Sequence, residues 1–376
     1  MEFTVKRDDL LRELKLLSGV LENKTTIPAL GNIFINAAKG KIELRATDLE
    51  IALRATCPAE VRAEGSCCLP GKKLAQYVAT VSGDLIHVKS QKGDGRQFNL
   101  SADKDRVRLS GLDCEQFPKP PEMPPATHEF SPDVFAGLIG RVVFAISTEA
   151  SRYTMNAALL TVDQSGLVMV ATDGHRLSWA RAAYEGAELR ALLPARAAAR
   201  LLAILGDNTD PDEKLRFGSD ENHLGFSIGH RELLSRKLPG QFPAYEAVLP
   251  KSNGLVATTP LEALRSGLRL AGMFSNERSC AVKFSVATGE LTIHAHGEAF
   301  EATVPLEAEY SGKPAEIGFN WKYVSDFLEA NHNPNAGRDG VPEQRVEVRI
   351  KDEQSAAEFR IAGDDSGRYV VMPMRV

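Results

Sequence analysis

Few residues in this chain have the type and spacing to do chemistry. Asp173 and His175 stand two apart in Ala171-Thr172-Asp173-Gly174-His175-Arg176-Leu177, a spacing open to an acid/base pair. Nothing beside them positions a substrate, and the Asp-Gly step reads better as a tight hairpin turn. It joins the apolar run Gly166-Leu167-Val168-Met169-Val170 to a return strand, Leu177-Ser178-Trp179-Ala180-Arg181. Gly225-Phe226-Ser227-Ile228-Gly229 matches the Gly-x-Ser-x-Gly nucleophile elbow, with His230, His294 and His296 as candidate bases. An elbow needs a strand, a sharp turn and a helix. The flanks here alternate like a strand and no clear helix follows, so a serine hydrolase using Ser227 is the remote reading and a glycine-spaced edge strand the preferred one. His294 and His296 would face one side of a strand, as a metal pair would, but spacing supplies no third ligand. Gly312-Lys313 lacks the upstream glycine and the following Ser or Thr of a phosphate-binding loop. No catalytic residue, metal or cofactor is expected.

Composition narrows the class. At 376 residues the chain can form two or three domains, each with its own core. Hydrophobic residues make up 43% and charged residues 25%, an ordinary balance with no apolar run of the ~18 residues a membrane span needs. Five cysteines, an odd count without a Cys-x-x-Cys pair, argue against a disulfide framework and for a reducing cytoplasm. Met1-Glu2-Phe3-Thr4-Val5-Lys6 reads as a strand, not a signal peptide. A net charge of −5 excludes a wholly basic nucleic-acid coat but leaves room for a locally basic surface.

Parts of the central turn recur. Leu44-Arg45-Ala46-Thr47-Asp48-Leu49 precedes it and Leu291-Thr292-Ile293-His294-Ala295-His296-Gly297 follows it, each displaced by about a third of the chain. Three copies of one unit are expected, spanning 1–122, 127–250 and 254–376. Each opens with a strand and a helix. Leu10, Leu14, Leu17 and Leu21 line one helix face. Ser131-Pro132-Asp133 starts the second copy's helix with proline at its first position. Thr259-Pro260-Leu261-Glu262 predicts a capping box in the third. Alternating strands follow at 32–35, 42–46, 157–162, 167–171, 282–286 and 291–295, then second helices over 70–81, 194–205 and 320–328. Proline-rich 117–125 and the stretch 249–254 read as linkers, and 331–342 as a surface loop.

Basic residues recur on these helices. Arg12 and Lys15, Arg196 and Arg200, and Arg265 and Arg269 share faces, while Lys72, Lys73 and Lys322 lie on second helices. For one helix this is a solvated face. Repeated on equivalent helices of an acidic protein, it predicts a continuous positive surface that holds phosphates without reading sequence.

The central turn, Phe242-Pro243-Ala244-Tyr245 leading to Val248-Leu249-Pro250, Ile317-Gly318-Phe319-Asn320, and Tyr369-Val370-Val371-Met372-Pro373-Met374-Arg375-Val376 together resemble the bacterial DNA polymerase III β subunit family, the replicative sliding clamps. The resemblance is collinear over the whole chain. It implies an α+β fold of three repeated clamp domains, each with two helices packed on antiparallel sheets, and a head-to-tail homodimer closing a six-domain ring. The ring would encircle duplex DNA non-specifically, without catalysis, in the cytoplasm and away from membranes. It would tether the polymerase for processivity. Implied partners are the polymerase III alpha subunit, the clamp-loader delta subunit, and other polymerases and repair proteins that carry clamp-binding motifs near Gln-Leu-x-Leu-Phe.

By matching positions, the family's peptide cleft would use Met155, Thr172, Gly174, His175, Arg176, Leu177, Pro243, Val248, Asn320, Tyr323, Val370, Val371, Met372, Pro373, Met374 and Arg375. Apolar strands and adaptable Met side chains suit varied Leu and Phe anchors, with His175, Arg176 and Asn320 pairing to peptide polar groups. The resemblance adds Lys24 to the DNA-facing residues. It places Met273 and Phe274 against Val107 and Leu109 of the other subunit. Four positions depart from the family pattern and bear on partner preference. Ala247 stands in place of an Arg beside the cleft, Ser279 in place of a bulky aromatic found in some members, Glu358 in place of a small polar residue, and Val376 in place of a terminal Leu. A clamp paralogue with an altered cleft, for example one resisting an inhibitor, is the nearer alternative.

Overall fold

The computed structural model describes all residues except 23–25, 92–95, 150, 209, 251–253 and 339. Lys24, expected to contact DNA, lies outside the described residues. Among the described residues, six α-helices form where the periodicity places them: α1 (Arg7–Ser18), α2 (Gly71–Thr80), α3 (Pro132–Val142), α4 (Ala195–Gly206), α5 (Leu261–Met273) and α6 (Trp321–Asn331). The predicted strands also form, a residue or three longer than expected. The three copies are therefore three repeated domains of mixed helix and antiparallel sheet.

The chain packs as two compact units, Met1–Ala136 with Arg196–Lys237, and Gly137–Ala195 with Leu238–Val376. These units cut across the sequence repeats because strands pair from one copy to the next. In the first unit the 13-residue strand Ile51–Ala63 pairs along one part with Lys41–Thr47 and Arg231–Arg236, and along another with Glu2–Lys6. A twelve-stranded sheet results. Its two ends on the main path are Asp105–Ser110 and Ala126–Phe130. In the second unit Arg176–Ala182 pairs with Gly367–Val371, which builds an eight-stranded sheet beside a four-stranded one.

Packing follows the apolar faces. Helix α1 buries Leu10, Leu14 and Leu17 and packs on α2, which buries Leu74 and Val78. Helix α5 packs on α6, burying Leu264 and Leu268 with Val324, Phe327 and Leu328 against Phe284, Phe319, Phe359 and Tyr369. Among the described residues, no helix is long and apolar enough to cross a membrane. All five cysteines are free. Burial pushes the Cys57 thiol up to about 12, so it is no nucleophile at neutral pH.

Three local readings change. The Thr259-to-Glu262 capping box is not made. Thr259 closes a strand and its hydroxyl donates to the Glu307 carbonyl at 2.8 Å, while Glu262 instead takes Arg265 and Ser266. Tertiary pairing outbids the local cap. The strand carrying Ser227, His223–Ile228, is interior and not an edge, lying between Leu215–Ser219 and Arg231–Arg236. Ser227 sits mid-ladder opposite Arg216 and Glu232, so there is no elbow. The glycines have another use. Gly218 and Gly225 are paired in register, and a Cβ on either would lie 2.3 Å from the Pro125 carbonyl or 2.9 Å from Pro124. Their missing side chains let the proline-rich linker lie against the sheet.

Periodicity also missed Glu13, on the buried face of α1 and 2% exposed. Arg231, 5% exposed, donates to it twice, at 2.9 and 2.6 Å, and reaches Asp207 at 2.5 Å. His230 joins at 3.1 Å. Desolvation pulls the Glu13 pKa up, but the bonds from His230 and Arg231 outweigh it and hold the carboxyl below its ordinary value. Glu13→Gln, which leaves Arg231 buried without its carboxylate, is expected to lower stability by about 3 kcal/mol near neutral pH. The ionised group's contribution is complete above the ordinary carboxylate pKa and is lost as pH falls through the lowered folded value. The gap between wild type and variant therefore narrows below about pH 4, which urea unfolding at neutral and acid pH measures.

Candidate functional site

The hairpin 172–176 is built by its own side chains. Thr172 donates to the Arg176 carbonyl at 2.7 Å and accepts from the Gly174 amide at 3.1 Å. Asp173 accepts from the amides of His175 and Arg176 at 2.9 and 3.0 Å, an Asx-type turn and not an acid/base pair. Gly174 sits at φ +87°, and a Cβ there would lie 2.5 Å from the Arg152 guanidinium, which covers it. Arg152 is fixed by Glu149 at 2.9 Å and donates to the Asp173 carbonyl.

The same turn recurs at the first copy. Thr47 donates to the Ile51 carbonyl at 2.8 Å and accepts from Leu49 at 3.0 Å, and Asp48 accepts from Glu50 and Ile51 at 2.9 and 2.6 Å. Leu49 takes the left-handed conformation, φ +77°, that Gly174 takes in the second copy. The backbone device is repeated but the chemistry is not: Leu49 and Ile51 stand where Gly174 and Arg176 stand. In the third copy only a backbone bond, Gly297 to Phe300 at 2.8 Å, closes the turn.

Arg176 is the hub of the second-copy turn. Its Nε donates to Asp173 at 3.0 Å, one Nη to Asp326 at 2.5 Å, and the other to the Phe144 carbonyl at 2.6 Å. The guanidinium lies over the rings of Tyr323, 4.6 Å from centroid, and Phe144, 5.6 Å. Its side chain is only 10% exposed. The expectation that Arg176 pairs with a peptide is thus revised: the cation is spent inside the wall. Asn320 uses its side-chain carbonyl to accept from the Lys322 amide at 3.0 Å as the N-cap of α6, which leaves its amide group as the part that can meet a peptide. His175 stays exposed and stacks near-parallel on Tyr323, centroids 6.3 Å apart. Burial raises the pKa of Tyr323 and, more strongly, of Tyr369, so both phenols stay neutral. Tyr369 donates to the Tyr323 carbonyl at 2.8 Å.

The C-terminal stretch straps this floor. Val371 pairs with Arg176 and Val370 with Leu177, Met372 donates to the His175 carbonyl at 2.9 Å, and Met374 to the Gly318 carbonyl at 2.9 Å. Gly318 is required there, since a Cβ would fall 2.2 Å from Val376. Pro373, Met374 and Arg375 also border an open cavity of about 570 Å³ with Lys283, Glu316 and Glu353. Leu177 and Val370 pack with Phe242, Tyr245 and Leu249, beside which Pro243 and Val248 are exposed, Val248 at 44%. Met372 is 47% exposed. Apolar groups are therefore presented over a rigid polar floor. Nine of the sixteen expected residues, Thr172, Gly174, His175, Arg176, Leu177, Tyr323, Val370, Val371 and Met372, join through the contacts just given, and Pro243 and Val248 adjoin them through Phe242 and Leu249. Met155 is half-buried near Arg152, to whose carbonyl its amide donates at 2.9 Å. Sequence reading missed Phe144, Arg152 and Asp326, and quoted Tyr369 only as the start of the terminal motif. Asp326, three residues after Tyr323 on α6, had a local signal.

The remaining expected residues are dispersed. Arg12 is 3.8 Å from Asp207, Arg196 2.7 Å from the buried Asp48, and Arg265 3.0 Å from Glu329. Arg200 lies across Gly19. Lys15, Lys72, Lys73, Arg269 and Lys322 are exposed. Val107, 36% exposed, and the half-buried Leu109 lie on the sheet-end strand Asp105–Ser110. Met273 is 67% exposed, and Phe274 packs edge-on against Phe300, itself 64% exposed. His294 and His296 face Thr303 and Glu301. Among the described residues no group of three His, Cys, Asp or Glu is arranged to hold a metal.

Three family models match in sequence order: the DNA polymerase III beta subunit N-terminal domain over residues 1–121, its central domain over 129–244, and its C-terminal domain over 246–375. The Beta sliding clamp of Pseudomonas putida is 31% identical over the full length of both chains. A crystal structure of the DNA polymerase III subunit beta from Pseudomonas aeruginosa superposes with TM-score 0.87 at 29% identity, covering all of both chains. A second structure from that organism, a sliding clamp bound to griselimycin, superposes at 0.89 with the same identity and coverage. Three tandem repeats joined by shared sheets define a clamp fold. The chain belongs to the DNA polymerase III beta subunit family, the beta sliding clamps. Its function is that of a sliding clamp in DNA replication, a processivity factor for DNA polymerase III.

Arg176→Lys keeps the charge but cannot span Asp173, Asp326 and the Phe144 carbonyl at once. It is expected to cost about 3 kcal/mol and to speed amide exchange at 174–176, read by denaturant titration and hydrogen exchange.

Proposed function

We propose that the face formed by 172–177, 370–375, Asn320, Tyr323, Met155, Pro243 and Val248 takes extended peptide segments with Leu and Phe anchors. The observation that carries this reading is the exposed pair Met372 and Val248 beside a floor that Arg176 makes rigid. A preordered floor lowers the ordering cost of docking, and an extended segment that orders on binding gives modest affinity and easy exchange. Partners would be the polymerase III alpha subunit, the clamp-loader delta subunit, and other polymerases and repair proteins with such motifs. Griselimycin, bound by the P. aeruginosa relative, would compete for the same face.

The chain would act as a head-to-tail homodimer around duplex DNA, each copy a domain (1–122, 127–250 and 254–376), with no catalytic site of its own. Strands Asp105–Ser110 and Glu301–Glu307 end their sheets, and a strand at a sheet end can pair with another chain. The first exposes Arg106 and Arg108, the second Glu301 and Glu307, and the apolar groups Val107, Leu109, Met273 and Phe274 lie on or near them. Complementary charge and uncovered apolar surface support these two edges as partners across subunits. Lys15, Lys72, Lys73, Arg200, Arg269 and Lys322 would supply the non-specific phosphate contacts, with Arg12, Arg196 and Arg265 paired to carboxylates of their own. A paralogue role with shifted partner preference rests on Ala247, Ser279, Glu358 and Val376.

A fluorescent Gln-Leu-x-Leu-Phe peptide is expected to bind saturably, to be displaced by griselimycin, and to lose about tenfold in affinity with Met372→Ala. Absence of binding by the folded protein would move the paralogue reading forward. Met273→Ala with Phe274→Ala is expected to yield monomers by light scattering, and an unchanged dimer would refute the proposed edge pairing.

A further inference from the structure

Glu358 stands where the family pattern has a small polar residue, and it is 3% exposed. An isolated carboxylate at that depth would be neutralised or expelled. Here two guanidiniums hold it: Arg368 donates from Nε at 2.5 Å, and Arg360 from Nη2 to both oxygens at 3.0 and 3.2 Å. Arg360 has a second carboxylate, Asp365, at 3.6 Å. Arg368 has a different second engagement. Its Nη2 donates to the Pro250 carbonyl at 2.9 Å, across 118 residues of sequence.

That bond ends a particular segment. Residues 242–250 are tied at the start by Phe242, which is buried with Leu177 and Val370. Tyr245 and Leu249 pack on the same cluster, and the Val248 amide closes onto the Tyr245 carbonyl at 3.0 Å. The segment presents Pro243 and Val248 outward. Phe242 and Arg368 thus hold its two ends, and the Arg368 fork is aimed by Glu358, on the strand whose Glu358 pairs with Val370 in register.

We infer that Glu358 is a positioning residue for the peptide face: through Arg368 it fixes the Pro250 carbonyl and so sets the 242–250 wall. The inference rests on reading that face as a peptide site. It gives the departure at Glu358 a consequence, since a small polar side chain could not aim the half-buried Arg368 at the linker.

The test uses the full-length protein. With Glu358→Gln, the labelled Gln-Leu-x-Leu-Phe peptide is expected to bind about tenfold more weakly, chiefly through faster release. Amide exchange at 245–249 should quicken while Tyr369, Val370 and Val371 keep their protection. Should that variant not fold, Arg368→Lys, which keeps a cation beside Glu358 but loses the fork, carries the same expectation. The double variant Glu358→Leu with Arg368→Met removes the Glu358–Arg368 pair and leaves Arg360 its second carboxylate, Asp365, at 3.6 Å; it is expected to regain part of the lost thermal stability without regaining affinity or protection of the wall. Wild-type affinity and wall protection in the single variants, or restored affinity in the double one, would overturn the inference. If the wild type binds no peptide, the peptide-site reading fails. The exchange measurement, which needs no peptide, then decides by itself whether Glu358 fixes the wall.

Discussion

The surface built on the 172–176 turn depends on one cation, Arg176, whose three guanidinium nitrogens all donate within the protein. Arg176 binds Asp173 in its own turn, Asp326 on α6 and the carbonyl of Phe144, and lies between two aromatic rings. A lysine could satisfy one of these partners; a planar fork satisfies all three. The turn, the helix and the eight-stranded sheet are thereby fixed to one another, and the strand Gly367–Val371 is laid against a surface that is already set. His175 and Met372, joined by a backbone bond, are then held outward by what lies beneath them.

The second constraint is shared strands. Successive copies are not beads on a linker. Arg231–Arg236 completes a sheet begun by the first copy, and Gly367–Val371 completes one begun by the second. Ladder bonds satisfy backbone groups that a free edge would expose, so the joints between repeats are as well bonded as the repeats. The connecting segments can then lie on the sheets. Gly218 and Gly225 clear a path for the proline-rich stretch at the first joint, and Arg368 grips Pro250 near the second. The two joints use related backbone turns at Thr47 and Thr172, yet only the second carries glycine and arginine. One scaffold repeated in sequence has been given different chemistry at its two joints.

Charge follows the same economy. Three helix arginines that share faces in sequence have carboxylate partners, Arg12 with Asp207, Arg196 with Asp48 and Arg265 with Glu329, whereas the helix lysines Lys15, Lys72, Lys73 and Lys322 are exposed. Arginine is spent on fixed pairing, and the compact lysine charge is left for non-specific attraction through solvent.

The sequence by itself determined the repeats, the helices, most strands and the family. Those signals are local or periodic: Leu10-Leu14-Leu17, proline at the start of α3, the Thr-Asp turn at 47 and 172, and motifs spaced collinearly along the chain. It also named residues that the fold brings together, Thr172 to Leu177 with Tyr323 and Val370 to Met372. It did not assign their work. Arg176 and Asn320 read as donors to a ligand because exposed polar residues near apolar ones usually are. Only the fold brings Asp326 and Phe144 to the one and an open helix end to the other. Thr259 read as a cap until a carbonyl 48 residues away claimed its hydroxyl. Glu13 gave no sign of burial in the helix periodicity, and Arg231, 218 residues on, is what makes its burial stable. Hydrophobic period and turn chemistry are written within a few residues, whereas the partner of a buried charge is chosen by which strands meet. That choice belongs to the tertiary structure alone.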